Sequence, residues 1–162
     1  MTTLNRQYTD EVLAGRPPEN PELPLDDVFD NEKGSITNIL FAPVQSVARI
    51  LSAAGSVRAN HWHRTDDHFA YVERGAVIYV QHNLVNGKLV NPGIAVTFKA
   101  GQGFYTPPRE AHAMIFPVET VIYTFARNVR DHENHEADVV RIEVVSPAFA
   151  AQLIEAYHAE QK

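Results

Sequence analysis

The hydrophobic pattern of the chain changes at about residue 35. From there to about residue 145, apolar and polar positions alternate in short runs rich in Val, Ile, Tyr, Phe and Thr, such as "HFAYVERG" and "AVIYVQHN". Alternation with a period of two is typical of half-buried β-strands. Turns that contain Gly or Pro separate the runs, so that about ten strands fit into this region. The pattern predicts an all-β sandwich or barrel over residues 35–145.

The two ends of the chain depart from this pattern. Residues 1–34 include the Pro- and acid-rich segment "RPPENPELPLDD", which suits neither a helix nor a central strand. We interpret residues 1–34 as an N-terminal arm without a core of its own. Residues 146–162 begin with Ser146 as an N-cap and Pro147 at the first helical position. The apolar residues that follow predict one amphipathic helix packed on the barrel: Phe149, Leu153, Ile154 and Tyr157.

Composition and charge narrow the function classes. Hydrophobic residues make up 44% of the 162 residues, which is a globular composition. The formal net charge is -6 without a basic run, which argues against a nucleic-acid or anionic-membrane partner. No apolar run approaches the roughly 20 residues of a membrane helix, and the N-terminus lacks a secretory pattern, so we expect a cytoplasmic protein. With no cysteine, His, Asp and Glu remain as strong metal ligands.

Histidines are concentrated in two segments. His61 and His63 in "HWHRTDDH" share one face of a strand, because side chains at i and i+2 point the same way. His68 follows a short turn and opens the next strand, where it can face the first pair. In the second segment, "GQGFYTPPREAH", a Gly-rich turn, a strand and a Pro-Pro turn lead to His112. Four histidines so placed indicate one metal site, and metal-free acid/base histidines are the alternative.

These two segments resemble the two conserved motifs of the cupin superfamily. "GSVRANHWHRTDDHFAYVERG" is similar to the first motif, and "GQGFYTPPREAH" is similar to the second. The resemblance implies a double-stranded β-helix, or jelly-roll barrel, with a metal at its centre. Carried over by position, the metal ligands are His61, His63, His68 and His112. The chain departs from the family at His68, where cupins usually carry a glutamate, at Arg109, where they carry a glycine, and at Phe116, where they carry an asparagine.

The predicted ligand set has chemical consequences. Four neutral imidazoles leave a divalent ion with its full charge, which favours an anionic substrate or bound hydroxide. Imidazole suits a transition metal, here Zn, Fe, Ni, Mn or Cu. Asp66 or Asp67 could accept an imidazole N–H and fix its tautomer. We name Tyr79 and Asp67 as candidate catalytic residues beside the metal.

Several further residues are candidates for contact with a ligand. The strand "AVIYVQ" alternates, so that Tyr79 and Gln81 share a face. Arg109 precedes His112 and could hold a carboxylate or phosphate. The predicted substrate-binding residues are Gln81, Arg109, Met114 and Phe104, and for Met114 and Phe104 a place in the core is the alternative. His132 and His135 lie in "RDHENHEAD", which we interpret as a solvated charged loop.

The sequence is compatible with three functions of the protein, and each involves a small-molecule ligand. The main hypothesis is a metal-dependent isomerase, epimerase, cyclase or dioxygenase acting on an anionic or carbohydrate-type molecule. The second is a metal-free sugar-nucleotide ketoisomerase or epimerase that uses His61 and His63 as acid and base. It gains from "DNEKGSI", which resembles the opening of cupins that act on nucleotide sugars. The third is a non-catalytic ligand-binding cupin. By analogy with the fold, we expect a homodimer.

Overall fold

Two antiparallel sheets of five strands each face one another in the computed structural model, which describes residues 4–16, 19–26, 28–90 and 93–162. One sheet has the strand order β1-β11-β6-β13-β4, and the other has the order β10-β7-β12-β5-β14. Two small hairpins, β2-β3 and β8-β9, lie outside them. The strands are Glu22–Leu23 (β1), Phe29–Asn31 (β2), Gly34–Ile36 (β3), Ser46–Ser52 (β4), Val57–His63 (β5), His68–Arg74 (β6), Ala76–His82 (β7), Leu84–Val85 (β8), Lys88–Leu89 (β9), Ile94–Lys99 (β10), Gly103–Thr106 (β11), Ala111–Ile115 (β12), Thr120–Ala126 (β13) and Val139–Arg141 (β14).

Three helices accompany the sheets: Leu4–Leu13 (α1), His132–Asp138 (α2) and Pro147–Glu160 (α3). The predicted all-β jelly roll and its C-terminal helix are therefore confirmed. At the two ends of the alternating region, 35–145, only the short strands β3 and β14 form. One of the predicted Gly- and Pro-containing turns, "NPG" at residues 91–93, lies partly outside the described residues. Within the described ranges, no helix is long and apolar enough to cross a membrane.

The barrel core lies between the two sheets. Its cluster includes Tyr79, Phe98 and Phe104, all fully or almost fully buried. The opposite face of β7 is also buried, because Ile78 and Val80 pack under α3. Burial on both faces explains why the "AVIYV" run is apolar at every position.

Helix α3 closes the outer face of the second sheet. The Ser146 side chain accepts a hydrogen bond from the backbone N–H of Phe149 at 3.2 Å and caps the helix, as predicted. Leu153, Ile154 and Tyr157 pack against the sheet. Phe149 was expected on the same face, but it remains 42% exposed.

The N-terminal arm contains a helix that the sequence did not predict. Helix α1 buries Asn5, Thr9 and Val12, a face on which only one residue is apolar. The Asn5 side-chain amide donates to the carbonyl oxygens of Pro24 and Ile39, both at 2.9 Å. Val12 packs in a hydrophobic cluster with Leu23 and Phe69, but the two polar residues interrupt the apolar pattern of a helix. Beside α1, strand β1 adds to the edge of β11, so the arm covers its own barrel.

Gly75 lies in the tightly packed turn between β6 and β7, and Gly101, between β10 and β11, provides a comparison. Gly75 and Gly101 have the same left-handed φ of 87°. A Cβ atom at Gly75 would lie 2.5 Å from the carbonyl oxygen of Glu119, whereas a Cβ at Gly101 would have nothing within 4 Å. We expect Gly101→Ala to lower the free energy of unfolding by roughly 1–2 kcal/mol through φ strain alone, and Gly75→Ala by roughly 1–3 kcal/mol more through the clash. Urea unfolding of both variants measures the difference, and equal losses would contradict the close approach at Gly75.

Candidate active site inside the barrel

A bulge in strand β5 sets the direction of the first histidines. Ala59 and Asn60 have φ values of 67° and 52°, and the pairing with β12 shifts between His112 and Ala113. Asn60 is held in this conformation because its Oδ1 accepts from the backbone N–H groups of Val144 and Val145, both at 3.0 Å. Bulges of this kind redirect side chains and are frequent beside functional sites.

The four predicted histidines come together inside the barrel. The ring centroid of His61 lies 4.7 Å from that of His63 and 4.8 Å from that of His112. His68 lies 5.4 Å from His63 and 5.8 Å from His112, again between ring centroids. His63, His68 and His112 are buried, and His61 is half-buried. The sequence therefore predicted this juxtaposition correctly.

The four imidazoles are neutral at physiological pH. Burial is the largest cause, and it lowers the pKa values of His61, His63 and His112 to about 3 each. The positive charge of Arg130 lowers the pKa of His63 further, and Asp138 opposes this shift. The pKa of His68 is also well below its usual range, because of burial and then Arg130. Each ring therefore keeps a lone pair on one nitrogen.

Asp138 is the carboxylate partner of His63. It ends helix α2, and strand β14 then pairs with β5 so that Val139 lies opposite His63. One Asp138 oxygen lies 3.0 Å from His63 Nδ1, and the other accepts from the N–H and hydroxyl of Thr65, both at 2.8 Å. Burial alone would raise the pKa of Asp138, but these hydrogen bonds hold it below the ordinary carboxyl value. The ionised carboxylate only accepts, so His63 Nδ1 carries the proton and Nε2 carries the lone pair.

Arg130 lies among the histidines as a second charged group that the sequence did not predict. One of its terminal nitrogens, Nη2, lies 3.2 Å from His63 Nε2 and 3.0 Å from His68 Nδ1. Its Nε donates to Asp66 Oδ2 at 2.7 Å, and Asp66 is 2% exposed. Asp66 therefore positions a guanidinium, and the structure gives it no hydrogen bond to an imidazole of the kind expected from the sequence.

Two buried hydrogen-bond acceptors in and beside the cluster have no partner among the described residues. His112 Nδ1 lies 3.2 Å from the carbonyl oxygen of Glu110, so the ring donates there and its Nε2 carries a lone pair. This Nε2 is buried without a hydrogen-bond partner, and so is Oε1 of the neighbouring Gln81. A buried acceptor without a partner is costly unless a ligand supplies a donor. Gln81, a predicted substrate contact, therefore lies beside His112.

Tyr79 lies deeper, beneath His112. Its ring stacks on that of His112 at 5.9 Å between centroids. Its hydroxyl is 3.0 Å from Thr106 Oγ1 and donates to Glu110 Oε1 at 3.1 Å. Burial is the main cause that raises the pKa of Glu110, to about 7. Tyr79 therefore adjoins the cluster, as expected of a candidate catalytic residue, with its hydroxyl bound to protein groups.

Three other predicted site residues lie away from the histidine nitrogens. Asp67, the other candidate catalytic residue, accepts from the Tyr105 hydroxyl at 3.0 Å and pairs with Arg127 at 3.7 Å. Phe104 is fully buried and Met114 is 7% exposed, and both belong to the barrel core. The structure thus gives Asp67 a place with Tyr105 and Arg127, and gives Phe104 and Met114 a packing role.

Two cavities lie at the end of strand β5, and none of the four clustered histidines is among the residues that line them. One, of about 530 Å³, is lined by residues that include Arg64, Thr65, Arg130 and Asp138. The other, of about 570 Å³, includes Trp62, Arg64, Thr65 and Arg109. Arg64 and Thr65 line both cavities, and the Arg64 guanidinium carbon lies 5.7 Å from the centre of the Trp62 ring. Arg109 thus lies at a cavity with an aromatic surface and a second cation.

The segment "RDHENHEAD" is largely exposed, as expected, but most of it forms helix α2 and not a loop. Asp131 accepts from the backbone N–H of Asn134 at 2.9 Å and caps helix α2. His135 lies 5.8 Å from His63 and 6.1 Å from His61 between ring centroids, whereas His132 is exposed. The Asp131 N-cap was the one local signal for this helix. Nothing in the spacing of the segment indicated that its ends would contact the histidines.

The predicted metal can be tested against these residues. Nitrogens of His61, His63 and His112 lie within 4.8 Å of one another, and neutral imidazoles are suitable ligands for a transition metal. The lone pairs of His63 Nε2 and His68 Nδ1, however, accept hydrogen bonds from Arg130. A four-histidine site does not fit these residues while the guanidinium is in this position.

The topology shows the fold of the protein: it has the jelly-roll architecture of the cupins. No protein-family model and no curated protein sequence matches the chain. Solved structures with this fold include the rmlC epimerase of Mycobacterium tuberculosis, with a TM-score of 0.61 and 14% identity over 80% of this chain and 70% of that chain.

Two further solved structures have the same fold. The 3,5-epimerase RmlC of Legionella pneumophila, in complex with dTDP-4-keto-L-rhamnose, has a TM-score of 0.60 and 15% identity over 76% of this chain and 73% of that chain. The sugar 3,4-ketoisomerase QdtA of Thermoanaerobacterium thermosaccharolyticum, in complex with TDP, has a TM-score of 0.57 and 16% identity over 81% of this chain and 91% of that chain. At these identities the similarity establishes the fold.

Proposed function

We propose that the protein is a sugar-nucleotide isomerase or epimerase that moves a proton at a carbon next to a carbonyl. The observation that carries this proposal is the 3.0 Å contact of His63 with Asp138, in a buried cluster where His63 presents Nε2 to the interior. The ionised Asp138 carboxylate opposes the lowering of the His63 pKa by burial and Arg130, and it stabilises the imidazolium that forms when His63 acts as general base. The second hypothesis drawn from the sequence is thus favoured over the metal-dependent one.

The residues suggest how the proton is moved. When a substrate oxygen accepts the hydrogen bond of Arg130, the lone pair of His63 Nε2 becomes available to take a proton from the adjacent carbon. Negative charge then develops on the carbonyl oxygen, where the guanidinium stabilises it. His61 is neutral and half-buried beside His63. It is the second residue of the proposed acid/base pair. The unpaired acceptors His112 Nε2 and Gln81 Oε1 can bind hydroxyl groups of the sugar.

The cavity beside Trp62 lies on the face of β5 opposite to His61 and His63 and meets the cavity of Arg130 at Arg64 and Thr65, where the nucleotide part of a substrate can bind. Trp62 offers an aromatic surface on which a base can stack. Arg64 and Arg109 line the same cavity and can bind a diphosphate. The solved structures with this fold include a complex with TDP and one with TDP-4-keto-6-deoxyglucose. These ligands are therefore suitable probes.

Proton exchange with solvent tests the proposed function directly. The protein is incubated with TDP-4-keto-6-deoxyglucose in D₂O with a chelator, and ¹H NMR follows the protons next to the carbonyl. We expect exchange by the wild-type protein, roughly 10²- to 10⁴-fold slower exchange by His63→Gln, and wild-type exchange by His132→Gln, whose side chain is exposed on α2. Absence of exchange by the wild-type protein, or equal rates in His63→Gln, would refute the proposed chemistry for this substrate.

Binding of TDP can be measured separately from catalysis. Trp62 is the single tryptophan of the chain, so quenching of intrinsic fluorescence reports on its cavity. We expect Arg109→Gln to weaken TDP binding about 10-fold, since one charge-assisted hydrogen bond is lost. Arg49→Gln is the matched control, because Arg49 pairs with Glu73 at 3.6 Å on the other sheet. Unchanged affinity in Arg109→Gln would remove Arg109 from the binding site.

A further inference from the structure

We propose that Arg130 is the resident cation of the histidine cluster and that it keeps this cluster from holding a divalent metal. Its Nη2 lies 3.2 Å from His63 Nε2 and 3.0 Å from His68 Nδ1. Both nitrogens are acceptors, so the guanidinium uses two of the lone pairs that metal coordination by the four predicted ligands requires. The inference concerns metal binding and does not depend on the proposed reaction.

The position of Arg130 is fixed by contacts at several points. Its Nε donates to Asp66 at 2.7 Å, and the side chains of Arg130 and Asp66 are 18% and 3% exposed. The other Asp66 oxygen accepts from the backbone N–H of Asn128 at 3.0 Å. The backbone N–H of Arg130 itself donates to Ser46 Oγ at 2.8 Å. The buried Asp66 thus holds both the guanidinium and the segment that carries it.

A metal ion and Arg130 compete for the same place. A transition metal binds an imidazole nitrogen at about 2.0–2.1 Å and uses the lone pair that now accepts from Arg130. The guanidinium cannot lose its proton in response, since its charge is permanent. Two cations in contact with one buried imidazole repel each other, and solvent screens this repulsion poorly. Metal binding by the wild-type cluster therefore requires Arg130 to leave.

The remaining histidines form a latent site once the guanidinium is absent. Nitrogens of His61, His63 and His112 already lie within 4.8 Å of one another. His112 Nε2 is buried without a partner, and its Nδ1 is bound to the Glu110 carbonyl oxygen. His63 Nδ1 is bound to Asp138 in the same way. Imidazoles held by a second hydrogen bond with the other nitrogen free are the usual arrangement of metal ligands.

Cobalt binding tests the inference without any substrate. The full-length protein is freed of metal with a chelator, dialysed and titrated with Co²⁺, with visible absorption as the readout. We expect Arg130→Met to bind one Co²⁺ at least about 100-fold more tightly than the wild-type protein, because a like charge at a metal site is strongly unfavourable. Arg127→Met is the matched control, since Arg127 belongs to the same segment but pairs with Asp67. It should bind Co²⁺ as weakly as the wild type.

Two further variants separate the loss of the guanidinium from unfolding and from metal binding at another place. Arg130→Met leaves Asp66 buried without its partner, so the double variant Arg130→Met/Asp66→Asn removes that charge and guards against unfolding, which circular dichroism monitors. His112→Ala in the Arg130→Met background should abolish the gain, because His112 is a ligand of the proposed site. Binding to the other possible group, His63, Asp66 and Asp138, would not depend on His112. Tight stoichiometric Co²⁺ binding by the wild type, or no gain in either folded Arg130 variant, would overturn the inference. Proton exchange in the presence of chelator would still test the proposed function.

Discussion

Asp138→Asn is expected to slow proton exchange by roughly 10²- to 10⁴-fold while leaving TDP affinity unchanged. An asparagine amide can present N–H to His63 Nδ1, which then becomes the acceptor and moves the ring proton to Nε2. The lone pair that faces the interior is lost, and a ring N–H points at the Arg130 guanidinium. The carboxylate that stabilises the imidazolium is lost as well. The measurement is ¹H NMR exchange with TDP-4-keto-6-deoxyglucose in D₂O.

The control for this prediction is Asp67→Asn, which changes a carboxylate that is partly buried and hydrogen-bonded to Tyr105. We expect it to retain wild-type exchange. Because Asp138 acts through His63, the double variant Asp138→Asn/His63→Gln should be no slower than His63→Gln alone. A rate for Asp138→Asn within a few-fold of the wild type, or additive losses in the double variant, would show that Asp138 does not serve His63 in this way.

Phe104→Ala is expected to lower the free energy of unfolding by roughly 3–5 kcal/mol. Phe104 is fully buried, and its ring lies 4.8 Å from those of both Tyr79 and Phe98 between centroids. Removing it leaves a cavity at the centre of the barrel. Because a domain of this size is stable by only about 5–15 kcal/mol, this one change removes a large part of its stability. Urea unfolding followed by circular dichroism provides the measurement.

Two variants separate packing by Phe104 from contact with a ligand. Phe149→Ala truncates a side chain that is 42% exposed on α3, and it should change stability by no more than about 0.5 kcal/mol. Phe104→Leu fills most of the same volume and should remain folded with unchanged TDP affinity. If Phe104→Leu were as stable as the wild type but bound TDP or substrate much more weakly, the sequence-based prediction of a substrate contact would be the better one.

The barrel was predictable because each central strand buries at least one face in a shared core. That arrangement imposes a period of two on the sequence, and the i, i+2 rule then places His61 and His63 together. His68 and His112 followed from the spacing of turns and strands around them. The resemblance to cupin motifs supplied the connection between the two segments. All of this information is local to stretches of about 20 residues or fewer.

The missed features depend on contacts that no local pattern encodes. His63 is 75 residues from Asp138 and 67 residues from Arg130 along the chain, and the pairing of β14 with β5 brings Asp138 to it. Helix α1 was missed for another reason. Two of the three residues on its buried face, Asn5 and Thr9, are polar, and the Asn5 amide donates to the distant carbonyl oxygens of Pro24 and Ile39.

Arg130 and Asp138 are the two charged residues that set the chemistry of the cluster. They lie before and at the end of the seven-residue helix α2, outside the principal strands of the barrel. The histidines belong to β5, β6 and β12. The charges and the imidazoles of the site thus come from separate parts of the fold. A substitution at Arg130 or Asp138 therefore changes the charge of the site without altering a residue of the barrel core that holds the imidazoles.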